Sequence, residues 1–216
     1  MINLPLKSPL SKLSSISNMS FSILFMLMFI YVLSILGTIL YRKFAIKYSI
    51  LANLNVRTLH QKPTPRGGGV IFSMIFALSI FVLSSLNIIE KHLINVFCYG
   101  AVIALLIGYI DDLISISSLK KLFLQFFLVL WILYFSNVEI FSQNKVEFSF
   151  TLWLLVPILL VWLINAYNFI DGIDGMAILG AILISSTLLV TLILTSGFSD
   201  LMLMLLVLLA SCLGFL

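Results

Sequence analysis

Seven apolar runs alternate with short polar segments along the chain. A helix needs about 20 apolar residues to cross the hydrocarbon core of a bilayer. On that criterion the pattern predicts transmembrane helices over roughly 19–41, 67–86, 94–110, 119–136, 150–166, 176–195 and 201–216. The fourth and fifth are short, and Lys120 and Lys121 extend the fourth by snorkelling to the interface. The fold class expected is all-α: a polytopic transmembrane bundle of about seven helices. It forms a single membrane domain over 1–216, with an N-terminal segment at 1–18 and motif loops at 42–66, 111–121 and 165–175. Residues 41–59 suit either a short interfacial helix, with Phe44, Ile46, Ile50, Leu51 and Leu54 toward lipid, or a plain linker.

Composition agrees with that reading. Apolar residues make up 62% of the chain and charged residues 9%, against about 25% charged in soluble domains. Mean hydropathy is +1.23. The net charge of +4 is loop charge that sets topology, and nothing in it asks for nucleic acid. Placing the loop after the first helix inside puts Arg42, Lys43, Lys47, Arg57, Lys62, Arg66, Lys120 and Lys121 in the cytoplasm. Lys7, Lys12, Lys91 and Lys145 then lie outside, and the N-terminus is extracytoplasmic. The first apolar run is too long for a signal peptide and lacks an A-x-A-like site, so it reads as a retained helix. Cys98 and Cys212 each sit inside an apolar run and read as buried thiols, not a disulfide framework.

Three polar blocks carry the chemistry, and this topology puts all three on the cytoplasmic side. The block NAYNFIDGIDG, from Asn165 to Gly175, sets Asn165, Asn168, Asp171 and Asp174 between two long apolar runs. Carboxylates and amides beside a bilayer are costly, which makes such a cluster a functional candidate. Gly172 and Gly175 let the backbone come close to a ligand. The block GYIDDL carries Asp111 and Asp112, adjacent anions that repel unless a cation or a proton intervenes. Mg²⁺ takes one or two carboxylates with phosphate oxygens and waters, and would justify the pair. A solvated helix end is the plainer reading of the two aspartates alone. The block HQKPTPRGGG, from His60 to Gly69, combines cationic side chains with a glycine-rich helix start, a combination that attracts anions. It is not a P-loop. Carboxylates for a metal beside cations for phosphate suit phosphoryl transfer, which rests mainly on positioning and charge neutralisation. A membrane location implies one lipid substrate.

HQKPTPRGGG, GYIDDL and NAYNFIDGIDG, in this order and spacing, resemble the polyprenyl-phosphate N-acetylhexosamine-1-phosphate transferase family (glycosyltransferase family 4, which includes translocase I). The forms PTPRGGG and YNFIDGIDG look closer to the O-antigen initiating branch. The resemblance implies a phosphoglycosyl transferase of the bacterial inner membrane with its active face cytoplasmic. Its substrates would be undecaprenyl phosphate and a UDP-N-acetylhexosamine, its cofactor Mg²⁺, and a homodimer is left open. Asp111 and Asp112 are then the catalytic candidates, with Asp111 weakly favoured as base or lipid-phosphate orienter. Asn168, Asp171 and Asp174, with Asn165 beside them, would contact the nucleotide sugar. His60, Lys62, Thr64 and Arg66 would line the phosphate side, and Asp112 and Asp171 are the metal candidates. The family also carries an F-x-G-D-x-G-S segment, whose Asp is thought to bind Mg²⁺, and a His-rich loop. The sequence reaches Leu216 before either, so the expectation is a C-terminally truncated form with the main metal ligand beyond Leu216. An inactive remnant or scaffold of the same ancestry is the alternative. An ion or proton transporter is disfavoured because the acids sit at helix ends on one face.

Overall fold

The computed structural model describes residues 21–51, 65–114, 116–136, 150–170, 175–195 and 199–216. Seven helices form among them: α1 (Phe21–Lys47), α2 (Gly69–Ser85), α3 (Ile94–Ile114), α4 (Ser118–Phe135), α5 (Phe150–Ile170), α6 (Met176–Thr195) and α7 (Asp200–Phe215). Each coincides with one of the apolar runs. Helices α1, α3, α4 and α6 are long and apolar enough to cross a membrane unaided, and α2, α7 and the Leu155–Asn168 stretch of α5 are shorter apolar helices. The all-α membrane bundle expected from the sequence is the fold observed.

Three helices, α1, α3 and α5, run four residues or more past the C-terminal ends expected from the sequence. Helix α1 does not stop at 41. It runs 27 residues to Lys47, a length of about 40 Å, so Arg42, Lys43 and Lys47 lie on its last turns, where long cationic side chains can reach a membrane interface. The separate interfacial helix considered for 41–59 is therefore replaced, as far as Lys47, by a continuation of α1; Leu54 lies outside the described residues. Ser49 ends α1 in the left-handed region, φ 55°, while Ser49 N–H donates to Ile46 O and Ile50 N–H to Ala45 O. These two bonds are a Schellman cap. Asn87 ends α2 in the same way, with φ 55° and the paired bonds Asn87 to Ser84 and Ile88 to Leu83. The motif loops assigned to 111–121 and 165–175 are also partly helical, since α3 continues to Ile114, α4 starts at Ser118 and α5 continues to Ile170.

Helix α7 is the hub. It packs against α1, α2 and α6, while α2–α3, α3–α4, α4–α5 and α5–α6 meet as sequential neighbours. Ile30, Ile75, Phe76, Ile80, Leu83, Leu203, Met204 and Val207 form the core where α1, α2 and α7 converge. Lipid tails are as apolar as leucine, so helix association in a bilayer relies on close packing and interhelical hydrogen bonds. The α1–α7 seam has both. A Cβ on Gly214 would lie 2.5 Å from the Tyr31 carbonyl oxygen and 2.6 Å from Ser34 Cβ. The buried Ser34 hydroxyl donates to Ser211 O at 2.7 Å. Large apolar side chains such as Phe25, Phe29, Leu36, Phe127, Trp162 and Leu183 point outward, where lipid would cover them.

Candidate active site

Helix ends gather around the polar motifs. Pro65–Gly68 lead into α2, and Gly67 turns the chain with φ 73°. A side chain at Gly67 would run into the Tyr41 hydroxyl near the end of α1 and would lie 3.0 Å from the Tyr109 ring near the end of α3. A Cβ on Gly68 would lie 3.2 Å from Phe215, close to the end of α7. Gly175, which opens α6 with φ 72°, faces Leu216 at 3.5 Å from such a Cβ. The Pro-Arg-Gly block, the two aspartates of α3 and the start of α6 thus share one end of the bundle.

Arg66 links two of the blocks. Its backbone N–H donates to Ile50 O at 3.0 Å, next to an isolated antiparallel bridge between Leu51 and Pro65. Its carbonyl accepts the Tyr41 hydroxyl at 2.8 Å. Its Nη1 donates to the backbone carbonyl of Asp112 at 2.8 Å. That carbonyl lies in the last turn of α3, where backbone oxygens lack helical partners and attract cations. Of the five guanidinium N–H groups, one is engaged among the described residues.

The two adjacent aspartates are in different situations. Asp111 is half-buried, and both its oxygens are engaged: Oδ2 with Lys121 Nζ at 2.6 Å, Oδ1 with the Ile116 N–H at 3.1 Å. The Lys121 ammonium is the cation that the sequence argument asked for, and it comes from the next helix. Asp112 is exposed and lies beside Arg66, with Tyr41 as an electrostatic neighbour. Helical neighbours point about 100° apart, so one aspartate faces the α3–α4 hairpin while the other does not.

Asn165 and Asn168 lie on α5. The Asn165 amide donates to Gln125 Oε1 of α4 at 2.7 Å and to Val161 O at 2.9 Å, which spends both its hydrogens. Gln125 is only 3% exposed, so this bond joins α4 to α5 inside the bundle. Asn168, one turn on, is exposed. Tyr167 donates from its hydroxyl to Ala177 O and packs against Gly180, which ties α5 to α6. His60, Lys62, Thr64, Asp171 and Asp174 lie outside the described residues. Tyr41, Tyr109 and Gln125 were not singled out from the sequence.

No group of three or more His, Cys, Asp or Glu side chains that could hold a metal occurs among the described residues. Mg²⁺ does not need such a group, because it binds through one or two carboxylates with phosphate oxygens and waters. Asp112, exposed near the end of α3, is a carboxylate whose chemistry suits such a site.

A bundle of seven apolar helices with its ionisable motifs collected at one end defines a multi-pass membrane protein with a polar site at the membrane boundary. Residues 93–216 match the family described as glycosyl transferase family 4. The chain belongs to that family, the polyprenyl-phosphate hexosamine-1-phosphate transferases. It is 29% identical over 180 residues to a probable undecaprenyl-phosphate N-acetylglucosaminyl 1-phosphate transferase of Bacillus subtilis, covering 81% of this chain and 49% of the relative. It is 33% identical over 178 residues to a phospho-N-acetylmuramoyl-pentapeptide-transferase of Buchnera aphidicola (71% and 47% covered). A Thermotoga neapolitana protein with that same name is 33% identical over 129 residues (55% and 40% covered). The chain therefore spans about half the length, or less, of the relatives it matches.

Proposed function

We propose that the full-length protein transfers an N-acetylhexosamine 1-phosphate from a UDP-N-acetylhexosamine to undecaprenyl phosphate, at the cytoplasmic face of the bacterial inner membrane. An oxygen of the lipid phosphate attacks the β-phosphorus of the nucleotide sugar. The bond from that phosphorus to the oxygen bridging to UMP breaks, UMP leaves, and a lipid diphosphate sugar forms. The carrying observation is the bond from Arg66 to the end of α3, which sets a guanidinium with further donors beside Asp112. Arginine presents a planar fork that matches phosphate oxygens. His60, Lys62 and Thr64 precede it in the same block and extend the phosphate side, while Asn165, Asn168, Asp171 and Asp174 serve the nucleotide sugar.

Asp112, whose backbone carbonyl accepts from Arg66, is the candidate to orient the attacking lipid phosphate, because it stands on the side where the guanidinium lies. That reverses the weak preference for Asp111 drawn from the motif. The lipid phosphate is largely ionised near neutral pH, so orientation matters more than proton removal. Asp112 and Asp171 would hold Mg²⁺, which when bound neutralises the diphosphate and the leaving UMP. Initiation of an O-antigen or a related envelope polymer is the pathway favoured by the PTPRGGG and YNFIDGIDG forms, and the Bacillus relative supports N-acetylglucosamine as the sugar.

The test is UMP release by the full-length protein in membranes supplied with undecaprenyl phosphate. UDP-N-acetylglucosamine is compared with UDP-N-acetylmuramoyl-pentapeptide. Release from the first supports the reading. Release from the second alone moves the protein to the peptidoglycan branch, and release from neither refutes the proposal for these donors.

A further inference from the structure

Arg66 sits in a loop, and a loop arginine has many rotamers and a mobile backbone. Its usefulness to a phosphate depends on what holds it. The Arg66 backbone is pinned on both sides, by Ile50 O on its N–H and by the Tyr41 hydroxyl on its carbonyl. The first is a backbone bond that any residue at position 50 would supply. The second depends on one side-chain hydroxyl, carried by α1 to the level of the site. The next residue, Gly67, has φ 73° and no room for a side chain between Tyr41 and the Tyr109 ring. Tyr109 lies three residues before Asp112, on the same helix face one turn earlier. Tyr41, Arg66–Gly67, Tyr109 and Asp112 thus form one connected corner of three chain segments.

We propose that Tyr41 is a positioning residue: its hydroxyl fixes the Arg66–Gly67 corner, so that the guanidinium is presented at the end of α3 beside Asp112. Tyr41 acts through Arg66 and touches no reacting atom. The inference rests on the functional reading above for its kinetic consequence, but not for its structural one. Fixing Arg66 before substrate arrives spares the ordering cost of binding, so losing the hydroxyl should show in substrate affinity more than in turnover.

Tyr41→Phe keeps the ring while removing the hydroxyl, which is both the donor to Arg66 O and the Tyr41 atom nearest Gly67. Two readouts separate the possibilities in the full-length protein. The first is hydrogen–deuterium exchange of peptides covering 65–70 without substrate. The second is KM and kcat for UMP release from UDP-N-acetylglucosamine. Exchange should quicken in Tyr41→Phe, and KM should rise about 3- to 10-fold, the scale of one neutral hydrogen bond, with kcat within about twofold. In an Arg66→Lys background the same change should add no further KM penalty, because the two residues act as a unit. Unchanged exchange at 65–70 overturns the positioning role whatever the activity. A KM penalty that persists in full beside Arg66→Lys also overturns it, since Tyr41 would then act independently. If the wild-type protein releases no UMP, the functional reading falls, and exchange alone decides whether Tyr41 fixes the corner.

Discussion

Both ends of the bundle carry acidic side chains, but the two ends use them differently. At the end where α2 leads to α3 and α6 to α7, Asp200 lies in the first turn of α7 and accepts the Glu90 N–H at 2.8 Å. Glu90 pairs with His92 at 3.1 Å. Trp131 of α4 donates to Asn95 O at 3.1 Å, in the π-helical turn that opens α3. These contacts cap helix ends and staple neighbouring loops, and the two that carry acids are exposed. At the opposite end, a half-buried Asp111–Lys121 pair closes a helical hairpin, and Arg66 reaches from a loop to the end of a third element. A carboxylate at a membrane boundary is therefore not a site by its presence alone. Asp200 fastens the start of α7 to the segment before α3, whereas Asp112 lies beside an arginine that its hydrogen bonds among the described residues leave with donors to spare.

The largest expected effect is at the motif-bearing end. Asp112→Asn in the full-length protein should cut UMP release by a factor of about 10² or more, the scale of losing one charged or acid–base group in a transition state. Asp111→Asn should also lower turnover, but with a loss of stability of about 1–3 kcal/mol from the stranded Lys121. Thermal unfolding in detergent checks this: adding Lys121→Met to Asp111→Asn should recover part of the melting temperature. Two independent, additive losses would dissolve the pair as a structural unit. Asn165→Leu should cost about 1–2 kcal/mol by leaving the buried Gln125 without its donor, and Gln125→Leu in the same chain should cost less than a second full increment. The smallest effect belongs to the other end. Asp200→Asn should cost less than about 1 kcal/mol, the worth of an exposed charge at a helix start, and leave UMP release unchanged.

The bundle was legible in the sequence because bilayer-spanning length and apolar composition leave little choice of element. The helix ends were less so. Arg42 and Lys43 look like a stop after Tyr41, yet long cationic side chains reach the interface from inside a helix, and α1 continues to Lys47. Asn165 and Asn168 look like loop residues beside two Asp-Gly pairs, yet α5 runs on to Ile170. Of the candidate site, the residue types and their common end were readable from the motifs and the charge asymmetry of the loops. The partners were not. Lys121 follows Asp111 by ten residues, and only the short antiparallel hairpin brings them to 2.6 Å. Gln125 and Asn165 meet across forty residues because α4 and α5 pack side by side. Tyr41 carries no motif signal; its part depends on the turn at Gly67, which the sequence shows only as the first of three glycines.

The central claim is that the end of α3 beside Arg66, not merely any acidic helix end of this bundle, performs phosphoryl transfer. It is tested most directly by measuring UMP release from UDP-N-acetylglucosamine, with undecaprenyl phosphate present, for wild type, Asp112→Asn and Asp200→Asn of the full-length protein side by side. The account predicts release by the wild type, at least a 100-fold loss in Asp112→Asn on the scale of a lost electrostatic group, and wild-type rates in Asp200→Asn. Equal rates for Asp112→Asn and wild type would contradict it.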